Sequence, residues 1–364
     1  MNPRTDARRD RAVPARSLVR PDVAALAGYV PGEQPSDPAV IKLNTNENPY
    51  PPSPRVRAAI ADACERLHLY PDPTARALRE RAGGLYGVDP DGIVVGNGSD
   101  ELLTLLMRAA VAPGDAVAFP VPTYSLYETL VALQGGASVT IPFPASWSLP
   151  EELFRVKARM LLVCNPNAPS GTTVATARLA ELAQAHPSAI VVLDEAYVDF
   201  ADESAIGLAG RLPNVVVLRT LSKSYSLAGL RVGLAATTPE LAAELVKVKD
   251  SYNVGRLAQA GALAALEDQD AMREHVARVR ATRDRLTREL VALGFAVVPS
   301  QANYVYARRP GEPLGPVAAT LKERGVLVRH FVALPDALRI SVGTDAEIDR
   351  LLAELRDLTS TSHR

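Results

Sequence analysis

The chain has 34 arginines but only six lysines, so candidates for a nucleophilic amine are few. Lys223 is the one placed for chemistry. It ends Thr220-Leu221-Ser222-Lys223, directly after the apolar run Val215 to Leu218, and Arg231 follows eight residues later in Ala228-Gly229-Leu230-Arg231-Val232-Gly233. Lys42 abuts a short strand-like piece, and Lys157, Lys247, Lys249 and Lys322 lie in polar or helical surroundings. An amine is nucleophilic near neutral pH only when partly desolvated or set beside another cation. Ser222 and Arg231 are able to hold phosphate oxygens, the guanidinium through bidentate, charge-assisted bonds. The bland alternative is a surface lysine beside a structural turn.

Four further groups could serve the same chemistry. In Val94 to Leu102 a strand turns through Gly96-Asn97-Gly98-Ser99-Asp100 into a helix opening at Glu101. Backbone N–H groups of Ser99 and Asp100 at that terminus suit a phosphate, and the helix dipole contributes about 0.3–1 kcal/mol. The same pattern also occurs as a simple capped turn. Tyr124, in Pro122-Thr123-Tyr124, offers a face to a flat heteroaromatic ring or else fills the core. Val191 to Tyr197 places Asp194 at the end of a buried strand, where open α/β sheets bind ligands. Asp194 could hold a pyridine nitrogen, with Tyr197 donating to the ring's phenolic oxygen, or it could bind metal or water. Arg329 and Arg339 lie on or beside apolar strands near the end, where an unpaired cation is costly. An anionic substrate would satisfy them, as would structural ion pairs.

The elements that must position these residues alternate. Residues 1–20, with six arginines and two prolines, read as a mobile tail, and 21–54 as an extended arm containing the strand Ile41-Lys42-Leu43. Arg55 to Leu67 sets Val56, Ala59, Ile60, Ala63, Cys64 and Leu67 on one helical face. Apolar strands are expected at 93–95, 116–119, 160–164, 189–193, 215–218 and 232–235, separated by helical stretches. That pattern predicts an α/β fold whose mainly parallel sheet is covered by helices on both faces. Residues 240–293 read as helical, and strands at 295–298, 304–307, 326–329 and 338–342 predict a smaller α/β unit. The expected division is a large domain over 55–245 and a small C-terminal domain over 246–364.

With 364 residues and a net charge of -1, the chain gives no footprint for nucleic acid or a membrane surface. No apolar run reaches the roughly 20 residues of a membrane span. Residues 1–20 lack the apolar core of a secretory signal. Cys64 and Cys164 read as buried core thiols rather than a disulfide framework. The five histidines show no metal-ligand spacing, and a cytoplasmic address follows by default.

Together these motifs resemble the class I/II aminotransferases, fold type I of the pyridoxal-5′-phosphate (PLP) enzymes, from about Leu26 to Leu355. Within that family Leu43-Asn44-Thr45-Asn46-Glu47-Asn48-Pro49, Tyr70-Pro71-Asp72, Ser222 to Arg231 and Leu338 to Gly343 are similar to the histidinol-phosphate aminotransferase branch. The resemblance implies that Lys223 forms the Schiff base and carries the proton, with Asp194 on the pyridine nitrogen, Tyr197 on the phenolic oxygen and Tyr124 stacked on the ring. It implies Ser99, Asp100, Ser222 and Arg231 around the phosphate, joined by Tyr70 from a neighbouring subunit, hence a homodimer with shared active sites. Tyr29, Arg329 and Arg339 would bind the anionic end of a small amino donor, and Arg339 also the carboxylate of glutamate, with a 2-oxo acid as acceptor.

One motif departs from the family pattern. Asn165-Pro166-Asn167-Ala168-Pro169-Ser170-Gly171 puts alanine where an asparagine usually contacts the ring oxygen, so that contact falls to Asn167. The same resemblance leaves room for an aromatic amino-acid aminotransferase or a threonine-phosphate decarboxylase. A regulator with an aminotransferase-like domain would need a DNA-binding module, for which the residues before Pro21 are too few.

Overall fold

The computed structural model describes residues 18–26, 28 and 31–361. A short helix α1 (Pro21–Ala25) and strand β1 (Ile41–Leu43) form the arm. There follow α2 (Pro54–Cys64), α3 (Arg76–Tyr86), β2 (Ile93–Gly96), α4 (Ser99–Ala110), β3 (Ala116–Val121), α5 (Leu126–Leu133) and β4 (Ala137–Pro142). Next come β5 (Met160–Cys164), α6 (Thr176–Ala185), β6 (Ile190–Asp194), β7 (Val215–Thr220), β8 (Gly233–Ala236), α7 (Pro239–Lys247), α8 (Arg256–Glu267) and α9 (Gln269–Ala292). The chain ends with β9 (Ala296–Val298), β10 (Tyr304–Arg308), α10 (Gly315–Glu323), β11 (Val326–Phe331), β12 (Leu334–Ser341) and α11 (Asp345–Thr361).

Seven strands form one sheet in the order β2-β8-β7-β6-β5-β3-β4, in which β8 alone runs against the rest. Its apolar strands are buried on both faces, and the two-residue period sorts their side chains. Val192, Val216 and Leu218 pack with α4 and α5, while Val191, Leu193, Val215 and Val217 pack with α6. This is the α/β architecture expected from runs that are apolar throughout. Strand β4 was not foreseen, because it is an edge strand with mostly exposed side chains and so lacks that signature. Helix α8 packs on α2 and α3, in the core that also holds Ile93, Val95 and Leu234.

Five strands form a second sheet, β1-β11-β12-β10-β9. On one face Val305, Ala307, Leu338 and Ile340 pack against Leu286 and Leu290 of α9 and Leu351 and Leu355 of α11. The alternate residues Tyr304, Arg339 and Ser341 therefore face the other way, towards the first sheet. The arm strand β1 pairs in parallel with β11, so the residues after Leu43 leave the second sheet heading for the first.

Helix α2 corrects the reading of Cys64. The helix ends at that residue, three short of Leu67, and its buried positions are Val56 and Ala63. Cys64 and Leu67 are exposed; only Cys164 is a core thiol. Helix α4 opens at Ser99, two residues before the expected Glu101. Among the described residues no helix is long and apolar enough to cross a membrane.

Candidate active site

A cavity of about 630 Å³ opens where the carboxyl ends of β3, β5, β6 and β7 meet the arm and the inner face of the second sheet. Ser99, Asp100, Tyr124, Asp194, Tyr197, Ser222, Lys223, Arg231, Arg329 and Arg339 all line it. Strand ends gather residues remote in sequence because parallel strands deliver all their C-termini to one edge.

Lys223 stands in the loop after β7. Its Nζ has a carbonyl oxygen, Thr45 O, at 3.4 Å and lies 5.7 Å from the centre of the Tyr197 ring. Burial lowers its pKa to about 8, with the positive charges of Arg339 and Arg231 acting in the same direction; Glu47 and Asp100 oppose them. The backbone behind the amine is held by Asn48, whose Nδ2 donates to the carbonyls of Lys223 (3.0 Å) and Ser224 (3.2 Å).

Asp194 ends β6 and is almost wholly buried. Its carboxylate accepts from the Tyr127 hydroxyl at 2.8 Å and from the Ala196 N–H at 3.2 Å. Burial raises its pKa to about 6 in spite of those bonds. The Asp100 charge acts in the same direction as burial, and Lys223 opposes it.

The other end of the cavity is built for oxyanions. Gly98 precedes α4 with φ +81°, and Arg231 follows a short 3-10 turn with φ +54°. Arg231 donates to Asp100 Oδ2 (3.1 Å) and to Ser222 Oγ (3.4 Å), while the Tyr124 hydroxyl donates to Asp100 Oδ1 (3.1 Å). A Cβ on Gly98 would stand 2.6 Å from Arg231 Nη2, and one on Gly233 would stand 2.6 Å from Ser99 N. Both glycines are needed for the helix N-terminus, the guanidinium and the start of β8 to converge.

Opposite this cradle, Arg329 and Arg339 are direct partners across β11 and β12. Like charges facing each other on paired strands are unfavourable. Arg339 donates to Asn44 O at 2.9 Å, and its Nε is buried without a partner. An anion there would give the Arg339 Nε an acceptor.

Two of the expected site residues, Asn167 and Tyr70, do not line this cavity. Asn167 is buried beside it, but its amide donates to Pro122 O and Ser170 Oγ and accepts from Thr123 Oγ1. Ala168 lines the wall in its place, so the one-residue shift is not taken up by a different loop path. Tyr70 is 76% exposed and stacks on Tyr252 at 4.4 Å. Tyr29 lies outside the described residues. Conversely, reading the sequence missed Tyr127, Asn46 and Asn48. Tyr127 follows Tyr124 by one helical turn, which was a usable signal. The asparagines had none beyond their place in the Asn44 to Pro49 run.

The chain is similar to known proteins in both sequence and fold. Residues 38–355 match the family model for aminotransferase class I and II. A histidinol-phosphate aminotransferase of Geotalea uraniireducens is 47% identical over 344 residues, covering 93% of this chain and 99% of that protein. Histidinol-phosphate aminotransferase 1 of Bradyrhizobium diazoefficiens is 48% identical over 343 residues, covering 93% and 98%. The crystal structure of histidinol-phosphate aminotransferase from Sinorhizobium meliloti in complex with pyridoxal-5′-phosphate superposes with a TM-score of 0.88 at 30% identity, covering 95% of this chain and 98% of that one. By fold, sequence and the placement of its polar residues, this chain belongs to the class I and II aminotransferases.

Proposed function

We propose that the protein is a PLP-dependent histidinol-phosphate aminotransferase, which moves an amino group from histidinol phosphate to 2-oxoglutarate. The cavity's residues fit the cofactor on three counts. Lys223 is a partly desolvated amine facing a carbonyl rather than a carboxylate. Asp194 is a buried carboxylate in need of a cation, which a protonated pyridine nitrogen provides. The Gly98–Gly233 cradle, with Ser99, Ser222 and Arg231, suits a phosphate. Of these, the observation that carries the reading is the buried Lys223 amine in the same cavity as Asp194.

When bound, PLP supplies an electron sink that weakens the bonds at the substrate's amino-bearing carbon. The protein's part is orientation and charge. Asp194 would hold the ring nitrogen's charge, and Tyr124 would offer its face to the ring. Tyr197 would donate to the ring oxygen. Lys223 Nζ, titrating near 8, is able both to attack an aldehyde carbon and to carry a proton at the reacting carbon. Positioned proton transfer of that kind contributes about 10²–10⁴-fold. Arg329 and Arg339 take the substrate's phosphate or carboxylate, and Tyr29 joins them.

The active unit in this reading is a cytoplasmic homodimer. Leu67, Leu69, Tyr70 and Tyr252 are exposed, Tyr70 stacks on Tyr252, and Tyr70 would reach the cofactor phosphate of the neighbouring subunit. In this reading the chain divides into an arm over 21–54, a large cofactor-binding domain over 55–245 and a small domain over 246–364, whose helix α8 packs back on α2 and α3.

A half-reaction assay tests the substrate. The holoenzyme is mixed separately with histidinol phosphate, glutamate and phenylalanine, and conversion of the cofactor to its amine form is followed by absorbance. Rapid conversion by the first two and slow conversion by phenylalanine is expected. No conversion by histidinol phosphate would overturn the assignment.

A further inference from the structure

We propose that Asn46 is a positioning residue that orders the Tyr197 hydroxyl, so that its proton is aimed into the cavity at the cofactor's ring oxygen. This inference rests on the cofactor reading above and adds a residue from the arm to it.

The argument is one of proton order. Asn46 is 1% exposed, and its backbone N–H donates to Ser341 Oγ at 2.8 Å. The Ser341 hydroxyl in turn donates to Asn46 Oδ1 at 3.0 Å. With Oδ1 accepting from Ser341, Nδ2 donates to Tyr197 Oη at 3.1 Å. A tyrosine hydroxyl has one proton to give. With Asn46 occupying the oxygen as donor, the Tyr197 proton must be given elsewhere, and Tyr197 lines the cavity. Asn303 Nδ2 fixes the segment from the other side by donating to Asn46 O at 2.9 Å.

The surroundings make this order consequential. Ala168 offers the cavity only a methyl group, and the Asn167 amide is engaged with Pro122, Ser170 and Thr123. Donation to the ring oxygen therefore falls on Tyr197, whose direction is set from residue 46. Asn46 also has φ +56°, a left-handed conformation that asparagine tolerates better than most residues. Around Tyr197 the titratable groups are Asp194 and Cys164 at the strand ends, Lys223 after β7, Tyr304 on β10 and Arg339 on β12. All remain in place in the variants below.

The test reads the pH midpoint of the near-visible absorbance of the lysine-bound cofactor. A hydrogen bond donated to the ring oxygen favours the deprotonated form and keeps that midpoint low. Asn46→Gly accommodates the backbone conformation and deletes the amide; the midpoint should rise by about 0.5–1 pH unit, the size of one net hydrogen bond. Asn46→Asp keeps an acceptor for Ser341 but takes the Tyr197 proton for itself, and should raise the midpoint at least as far. In a Tyr197→Phe background, Asn46→Gly should add almost nothing. A role confined to holding the arm would instead persist there. An unmoved midpoint in both Asn46 variants, or a full shift without the Tyr197 hydroxyl, overturns this inference alone. A wild-type protein that forms no such band overturns the cofactor reading and this inference with it.

Discussion

The Tyr127 hydroxyl donates to Asp194 Oδ2 at 2.8 Å, tying the first turn of α5 to the end of β6 beneath the cavity. Both groups are buried, so the bond has no competition from water. Tyr127→Phe leaves the carboxylate with the Ala196 N–H alone. A hydrogen bond to a charged buried group contributes about 1.5–3 kcal/mol, so cofactor affinity should fall roughly 10–100-fold. Titrating apo-protein with PLP checks this; unchanged affinity would remove Tyr127 from the site.

Lys223→Ala should abolish turnover and the near-visible band of the bound cofactor, and survival of both would reject the assignment. The lysine's lowered pKa adds a pH signature. Capture of the aldehyde by apo-protein needs the neutral amine, so its rate should climb through about pH 8 and level off above. Between that value and the ordinary lysine range the unfolded chain binds the proton more readily than the folded one. The contribution of Lys223 to apo-protein stability therefore rises with pH across that window, and is lost as pH falls through 8. Stopped-flow capture rates and melting curves at several pH values measure the two effects.

Gly233→Ala places a methyl 2.6 Å from Ser99 N and Gly98 C, both backbone atoms that can yield only by moving the start of α4. Affinity for PLP should fall at least tenfold, an estimate from the loss of about one charge-assisted bond. Affinity for pyridoxal, which lacks the phosphate, should change much less. Equal losses for both ligands would show that the cradle does not hold phosphate.

Arg339 faces Arg329 across paired strands and keeps one N–H without a partner. Arg339→Ala should raise KM for both histidinol phosphate and glutamate by roughly 10-fold or more, the scale of one hydrogen bond to a charged group. Stability should hardly suffer, since removing one of two opposed cations offsets the lost packing. Steady-state kinetics with each substrate and a melting curve decide it; unchanged KM for both would count against the anion site.

The legible parts of this protein were those encoded locally. Val191 to Asp194 shows its strand by being apolar throughout, and Gly96 to Asp100 shows its turn by glycine spacing, so the motifs could be placed on elements before any contact was known. Strand β4 and the end of α2 were misjudged for the converse reason: an exposed edge strand and a helix end carry little apolar signal. Cys64 followed that error.

What the sequence determined by itself was the roster of reactive groups and the order of the elements carrying them, because hydrophobic period and turn chemistry act over a few residues. Which amides face which hydroxyls was decided only by the tertiary structure. Asn46 meets Ser341 across 295 positions and Tyr197 across 151, and Asn167 turns from the cavity because Thr123 and Ser170 occupy its amide. Hydrogen bonds select partners by distance and direction in space, and no local pattern records where a chain returning from the far sheet will set its next donor.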